Sequence, residues 1–236
     1  GLKQFQPELF VSTDKFALKH SKETFANLAL DSYKRFGNEA PIISIENARA
    51  GTVFSRGEEL AGLIKESRAE FVKKAVSEGL MSRARAEDVA SKLIGATWDV
   101  GHIALLRKQG FGMKEGKFSE EEFKKLMAAE AKNIAPFVKH VHLTDNFGFE
   151  DSHLPVGMGE VPIKEQMREL EKAGYSGKAI LEAVALPQHF QTLPMPYVWE
   201  ALGSPVYGES QEPFWNQVRG FPSAGLYPSG FGLMLP

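Results

Sequence analysis

Phe137-Val138-Lys139-His140-Val141-His142-Leu143, continued by Thr144-Asp145-Asn146, decides the fold. The stretch alternates in character as a strand does, and it runs into imidazole and carboxylate groups that a buried strand normally avoids. Working outward, three other short apolar runs end the same way. Pro41 introduces Ile42-Ile43-Ser44-Ile45-Glu46, which reads as a buried strand closed by Glu46. Ala96 to Val100 reads as a second strand, bearing Asp99 and followed by Gly101-His102. Lys178 to Glu182, after the turn Gly174-Tyr175-Ser176-Gly177, reads as a fourth and ends in Glu182.

Helical segments lie between these runs. Ser21 to Phe36 has Phe25, Leu28 and Ala29 on one side and Gly37 as a stop, whereas residues 1–20 show no clean period. Residues 57–78 are amphipathic through Leu60, Ile64, Phe71 and Ala75, and residues 84–94 form a further helix. Ser119-x-x-Glu122 is a capping box for a helix reaching about Lys132. Pro162 suits the first position of a helix through Ile163, Met167 and Leu170.

Strands alternating with helices imply a parallel sheet. A closed eight-stranded barrel usually takes roughly 250 residues. Here residues 1–186 supply four clear strands, so the expected fold is α/β, a (β/α) TIM-barrel type of which only the second half is present. Residues 187–236 are rich in Pro and aromatics (Pro194, Pro196, Trp199, Tyr207, Trp215) and lack periodicity. They are expected to form an irregular extension packed on the barrel or on another chain, because so many large apolar groups do not suit a solvated linker.

Composition excludes some classes. The chain has 236 residues, 28 Lys+Arg and 30 Asp+Glu, so its net charge near −2 gives no general pull toward nucleic acid. With no cysteine, disulfides and thiolate metal sites are excluded, and a cytoplasmic location is expected. No apolar run is long enough to span a bilayer.

Polar groups at the C-terminal ends of parallel strands converge on one mouth of a barrel, where this fold places its active sites. Glu46, Asp99, His142 and Glu182 form an oxygen-rich set with one nitrogen, suited to Mn²⁺, Mg²⁺, Co²⁺ or Zn²⁺. Each residue has a plainer reading. A lone glutamate at a strand end is more often a cap partner or an exposed loop residue. His102 could start or cap a helix, and Asp145 could serve only as an Asx-turn residue before Asn146. His140 is taken as structural and expected on the opposite side of the strand from His142. Gly157-Met158-Gly159 reads as a tight turn, with phosphate contact the minority reading.

Together, Ile45-Glu46-Asn47, Trp98-Asp99-Val100-Gly101-His102, His140-Val141-His142-Leu143-Thr144-Asp145-Asn146, Asp151-Ser152-His153-Leu154-Pro155-Val156-Gly157-Met158-Gly159-Glu160 and Ile180-Leu181-Glu182 resemble the second half of the xylose-isomerase-like superfamily, which includes sugar isomerases/epimerases and apurinic endonuclease family 2. The resemblance covers about residues 40–185. It implies that Glu46, Asp99, His142 and Glu182 bind one divalent metal, and that His102 touches substrate or a further metal. It implies a second metal or substrate set of His102, Asp151 and His153, as in the endonuclease branch, although the two histidines which that branch takes from earlier strands have no match. The expected function is metal-dependent isomerisation or epimerisation of a small sugar or sugar phosphate. Glu46 and Glu182 would exchange protons at a metal-held enediolate while His102 orients a hydroxyl. The competing readings are a zinc-dependent apurinic-endonuclease-like phosphodiesterase, and an inactive half-barrel. The expected partner is a second copy of the chain or a complementary half-barrel, because an open parallel sheet leaves unpaired edges.

Overall fold

The structure is a computed structural model and describes residues 10–114, 117–183 and 198. Apart from Val198, the 187–236 extension lies outside the described residues. Six strands and six α-helices follow one another through the described part: α1 (Thr13–Phe36), β1 (Ile43–Glu46), α2 (Gly57–Ser77), α3 (Arg83–Leu93), β2 (Ile94–Asp99), α4 (Val100–Ala104), β3 (Met113–Lys114), β4 (Lys117–Phe118), α5 (Glu120–Ile134), β5 (Val138–Leu143), α6 (Ile163–Lys172) and β6 (Ala179–Leu181). Strands β1, β2, β5 and β6 form one sheet in that order, parallel throughout. Sequential parallel strands with helices between them are the arrangement of part of a TIM barrel. The β3–β4 hairpin stands apart.

Register divides the sheet into two chemically distinct faces. Side chains two residues apart share a face. Ile45, Ala96, Trp98, Val141 and Leu143 are all buried, and they share the core with Leu60, Ile64, Phe71, Phe123, Met127 and Leu170 of the helices. Each large aliphatic or Phe side chain among them contributes roughly 1.5–3 kcal/mol on burial. The other face is polar. Glu46 is level with Thr97 and Thr97 with His140, while Asp99 is level with His142 and His142 with Ile180. Thr97 donates its hydroxyl to Ser44 across the strands (2.7 Å).

Several local expectations are corrected. The first helix starts at Thr13, not Ser21, because Ser12 caps it by accepting from the Lys15 N–H (3.4 Å). Its buried side is small (Ala26, Ala29, Leu30), whereas Leu28 is 53% exposed, so large apolar residues mark this helix poorly. Pro162 sits at the N-cap of α6, one position before the first helical residue. His140 shares a face with His142 instead of opposing it. Two-residue spacing requires this, and the rings meet edge to face with centroids 5.2 Å apart.

One buried ion pair fixes how α5 meets the start of α2. Glu130 is almost wholly buried and accepts from the Arg56 guanidinium (Nε, 2.6 Å) and from the Gly57 N–H (2.8 Å). A Cβ at Gly57 would run into the Glu130 backbone carbonyl, so the close approach needs glycine there. Glu130→Ala leaves a buried N–H and a half-buried cation without their acceptor. It is expected to cost about 2–4 kcal/mol, read as a lower urea midpoint with an unchanged m-value.

Candidate metal centre

β2 delivers Asp99 at its last position, and α4 begins at the next residue. The sequence allowed a helix started or capped by His102; the cap is Asp99 instead, which explains the Asp99-Val100-Gly101-His102 spacing. Asp99 is the N-cap: its Oδ1 accepts from the N–H groups of Gly101 (2.7 Å) and His102 (2.9 Å). Thr144, fully buried, adds a third donor to the same oxygen (2.8 Å). Asn47 fixes the backbone beside it, accepting from the Asp99 N–H (2.7 Å) and donating to the Asp99 carbonyl (3.0 Å). Asp99 is 0% exposed, and its Oδ2 is left buried without a hydrogen-bond partner among the described residues.

Four groups surround that position. Glu46, Asp99, His142 and Glu182 each offer one ligand atom, and these atoms lie within 4.8 Å of one another. His142 Nδ1 stands 3.1 Å from Glu46 Oε1 and 3.3 Å from Glu182 Oε2. The two glutamates stand at opposite edges of the sheet, Glu46 as the last residue of β1 and Glu182 directly after β6, and are partly exposed, whereas Asp99 forms the buried floor. Oδ1 saturated with donors, Oδ2 vacant and two further carboxylates at hand is a donor arrangement that fits a hard divalent cation.

A second cluster adjoins the first. Asp151 Oδ2 lies 3.3 Å from His102 Nε2, 3.2 Å from His153 Nε2 and 3.3 Å from Arg49 Nε. Asp151 Oδ1 is buried and unpartnered among the described residues. His102 donates from Nδ1 to the Asn47 carbonyl (2.8 Å), so both ring nitrogens face acceptors. Burial opposes charge on this imidazole, but the Asp151 hydrogen bond, the Asp99 charge and the Asn47 carbonyl outweigh it and raise its pKa to about 9. His153 approaches the Glu182 carbonyl through Nδ1 (3.2 Å) and holds a positive φ of 47°, uncommon for a residue with a side chain.

The structure thus brings together all seven residues named from the sequence, in two adjoining groups. Sequence reasoning gave no role to Asn47 or Thr144. Both stand beside a strand end, inside the segments that carry the family resemblance, and that was the signal the sequence offered. Asp145 was undervalued. Its carboxylate accepts from the N–H groups of Asn146 (2.8 Å), Gly157 (2.9 Å) and Val161 (3.0 Å). The glycine run is therefore a turn folded onto Asp145, and N–H groups that a phosphate would need are already used.

Comparison with known proteins points to the same type of fold. Residues 81–194 match the family model described as xylose isomerase-like TIM barrel. An uncharacterized protein of Methanocaldococcus jannaschii is 30% identical over 96 residues, covering 41% of this chain and 28% of that protein. The fructoselysine 3-epimerases of Shigella flexneri and Escherichia coli O157:H7 are each 32% identical over 65 residues, 28% of this chain and 22% of theirs. The chain spans roughly a quarter of the length of the curated relatives it matches. No solved structure matches it significantly. Residues 81–194, which hold Asp99, His142 and Glu182 of the four-residue cluster, are thus similar to the xylose isomerase-like TIM barrel family.

Proposed function

We propose that this chain carries the metal-binding half of a sugar isomerase or epimerase, with Glu46, Asp99, His142 and Glu182 holding one divalent ion such as Mn²⁺, Mg²⁺, Co²⁺ or Zn²⁺. The observation that carries the reading is the buried, unpartnered Asp99 Oδ2 among four ligand-type groups within 4.8 Å. The similarity to fructoselysine 3-epimerases supports a sugar-like substrate. The ion, when bound, would supply Lewis-acid charge to a substrate carbonyl and its neighbouring hydroxyl.

The protein's own groups would move the protons. Glu46 and Glu182 stand at opposite edges of the sheet, so a substrate held between them presents one face to each. One carboxylate would take the proton from the carbon beside the carbonyl, and the other would return it on the opposite face. His102, held by the Asn47 carbonyl through Nδ1, would orient a substrate hydroxyl only by exchanging its Nε2 contact with Asp151 for one with the substrate.

The test is solvent exchange. The Mn²⁺-loaded chain is incubated in D₂O with a panel of ketoses and ketose phosphates, and deuterium is sought at the carbon beside the carbonyl. Exchange is expected in the wild type, with a fall of about 10²–10⁴-fold in Glu46→Gln and Glu182→Gln. Exchange that survives both substitutions rules the assignment out.

The His102, Asp151 and His153 cluster favours a second reading, a phosphodiesterase with more than one zinc. Its orphaned Asp151 Oδ1 would face a further cation. Metal counting separates the two readings: one ion per chain supports the isomerase, two or more the phosphodiesterase. A partner is also proposed. Ile180 on edge strand β6 is 53% exposed on the polar face, and further strands from a second copy or a complementary half-barrel would cover it.

A further inference from the structure

We propose that Asp145 is a positioning residue for the second half of the site: its buried carboxylate gathers the backbone of the loop after β5 and thereby holds Asp151 and His153 against His102. The idea deepens the reading of the same site given above, but it stands on contacts that need no metal.

Between β5 and α6 the chain runs from Thr144 to Pro162 with no helix or named strand. A connection of that length does not order itself through its own backbone ladder. Here one side chain supplies what a ladder would. Oδ1 of Asp145 accepts from Asn146 and Val161, and Oδ2 from Gly157; the Gly159 N–H also donates to the carboxylate. The Asp145 backbone pairs in both directions with Leu154 (2.9 Å each way), and the Glu160 N–H donates to the Asn146 carbonyl (2.9 Å). Asp145 is 2% exposed. Burial pushes its carboxyl above the ordinary range, while the backbone N–H donors pull it back. Charge-assisted bonds to a buried carboxylate are among the stronger hydrogen bonds a protein makes. Gly159 permits the closure: a Cβ there would collide with Asp145 Oδ1 and the Asn146 backbone.

Asp151 and His153 ride on this loop. His153 keeps its left-handed backbone only if its surroundings over-determine it, and its neighbour Leu154 is the residue paired to Asp145. The Asp151 side chain is 5% exposed, yet its described partners are His102 on α4, Arg49 on the β1–α2 loop and His153 itself. Nothing among these contacts closes the far end of the loop, where Asp145 binds Gly157, Gly159 and Val161. Asp145→Asn keeps the shape but offers one carbonyl and an NH₂ group to N–H donors that need two acceptor oxygens.

The experiment uses ¹⁵N-labelled chain, wild type and Asp145→Asn. Hydrogen exchange is expected to speed by about tenfold or more at Gly157, Gly159 and Val161, with β2 and β5 amides unchanged. The ring-nitrogen signals of His102 and His153 are expected to shift as the Asp151 contact is lost, whereas those of His142 stay. In Co²⁺-loaded protein the cobalt absorption band should persist in the variant. A wild type without that band would count against the metal reading alone, because the exchange and histidine measurements still report on Asp145. Loop amides that open while His102 and His153 signals stay in place would overturn the proposal. So would equal acceleration of every amide, which marks a general loss of stability. Should Asp145→Asn fail to fold, Gly159→Ala, which presses on the same oxygen, carries the same readouts.

Discussion

Asp99→Asn is expected to abolish binding of Mn²⁺ by the chain while leaving the metal-free fold intact. The two halves of the Asp99 carboxylate have separate tasks. Oδ1 takes three donors, from Gly101, His102 and Thr144, and an asparagine carbonyl can keep all three. Oδ2 is buried with no partner among the described residues, and in the variant an NH₂ group replaces it. That group repels a cation instead of binding it. In elemental analysis after Mn²⁺ loading, the wild type is expected to hold about one ion per chain at this centre and the variant almost none. Thermal unfolding gives an independent reading. At ion concentrations about 100 times the dissociation constant, binding stabilises the native state by about 2.7 kcal/mol, so the wild-type Tm rises with Mn²⁺ and the variant's does not. Thr144→Val should sit between the two. It removes one donor from Oδ1 and lets the carboxylate turn, which is expected to weaken binding by about 10–100-fold without abolishing it. Equal Mn²⁺ content in wild type and Asp99→Asn would remove this centre from consideration.

The parts of this site that could be read from the sequence are those where one residue type violates its local pattern. Glu46, Asp99 and Glu182 each close an apolar run and His142 interrupts one; each has a plainer reading alone, and only the coincidence of ligand-type groups at four strand ends made the set legible. The α/β order was legible for the same reason: apolar runs of strand length alternate with helical periodicity. What could not be read is who partners whom. Asn47 reaches Asp99 across 52 residues of chain, and Trp98 reaches Gln166 across 68. A single polar residue carries no mark of such a partner, because the pairing is set by sheet register and helix docking. Thr144 carries no reading of its own in the sequence, and Asp145 reads as a local turn former, although its carboxylate reaches Val161, 16 residues away. The misplacement of His140 was different in kind. The spacing was visible, and a two-residue step in a strand returns to the same face. The start of α1 was hidden because its core-facing side is alanine-rich, so large apolar residues could not mark the period.

Trp98→Ala is expected to be the most destabilising single substitution of those considered, at about 3–5 kcal/mol. Trp98 is the largest fully buried side chain of the sheet, and it stands immediately before Asp99. Its Nε1–H donates to Gln166 Oε1 (2.9 Å), and Gln166 Nε2 donates onward to the Val100 carbonyl (3.1 Å). Both side chains are 0% exposed, so this chain of bonds is sealed from water and links α6 to the end of β2. Against a typical total of about 5–15 kcal/mol, such a loss removes a large share of the stability. Trp98→Phe separates cavity from hydrogen bond. It keeps most of the apolar volume but strands Gln166 Oε1, a cost of about 1–3 kcal/mol beyond the lost volume. Gln166→Leu strands the Trp98 N–H and the Val100 carbonyl instead, at a similar cost per group. The double variant Trp98→Phe with Gln166→Leu removes both members of the Trp98–Gln166 bond together and leaves only the Val100 carbonyl unpaired. Its loss in urea unfolding should therefore be smaller than the sum of the single losses, with a coupling of about 0.5–3 kcal/mol. Strict additivity would show that the Trp98–Gln166 bond does not tie α6 to β2. The strand end that presents Asp99 would then be held by its pairing with β1 and β5 and by Asn47 and Thr144.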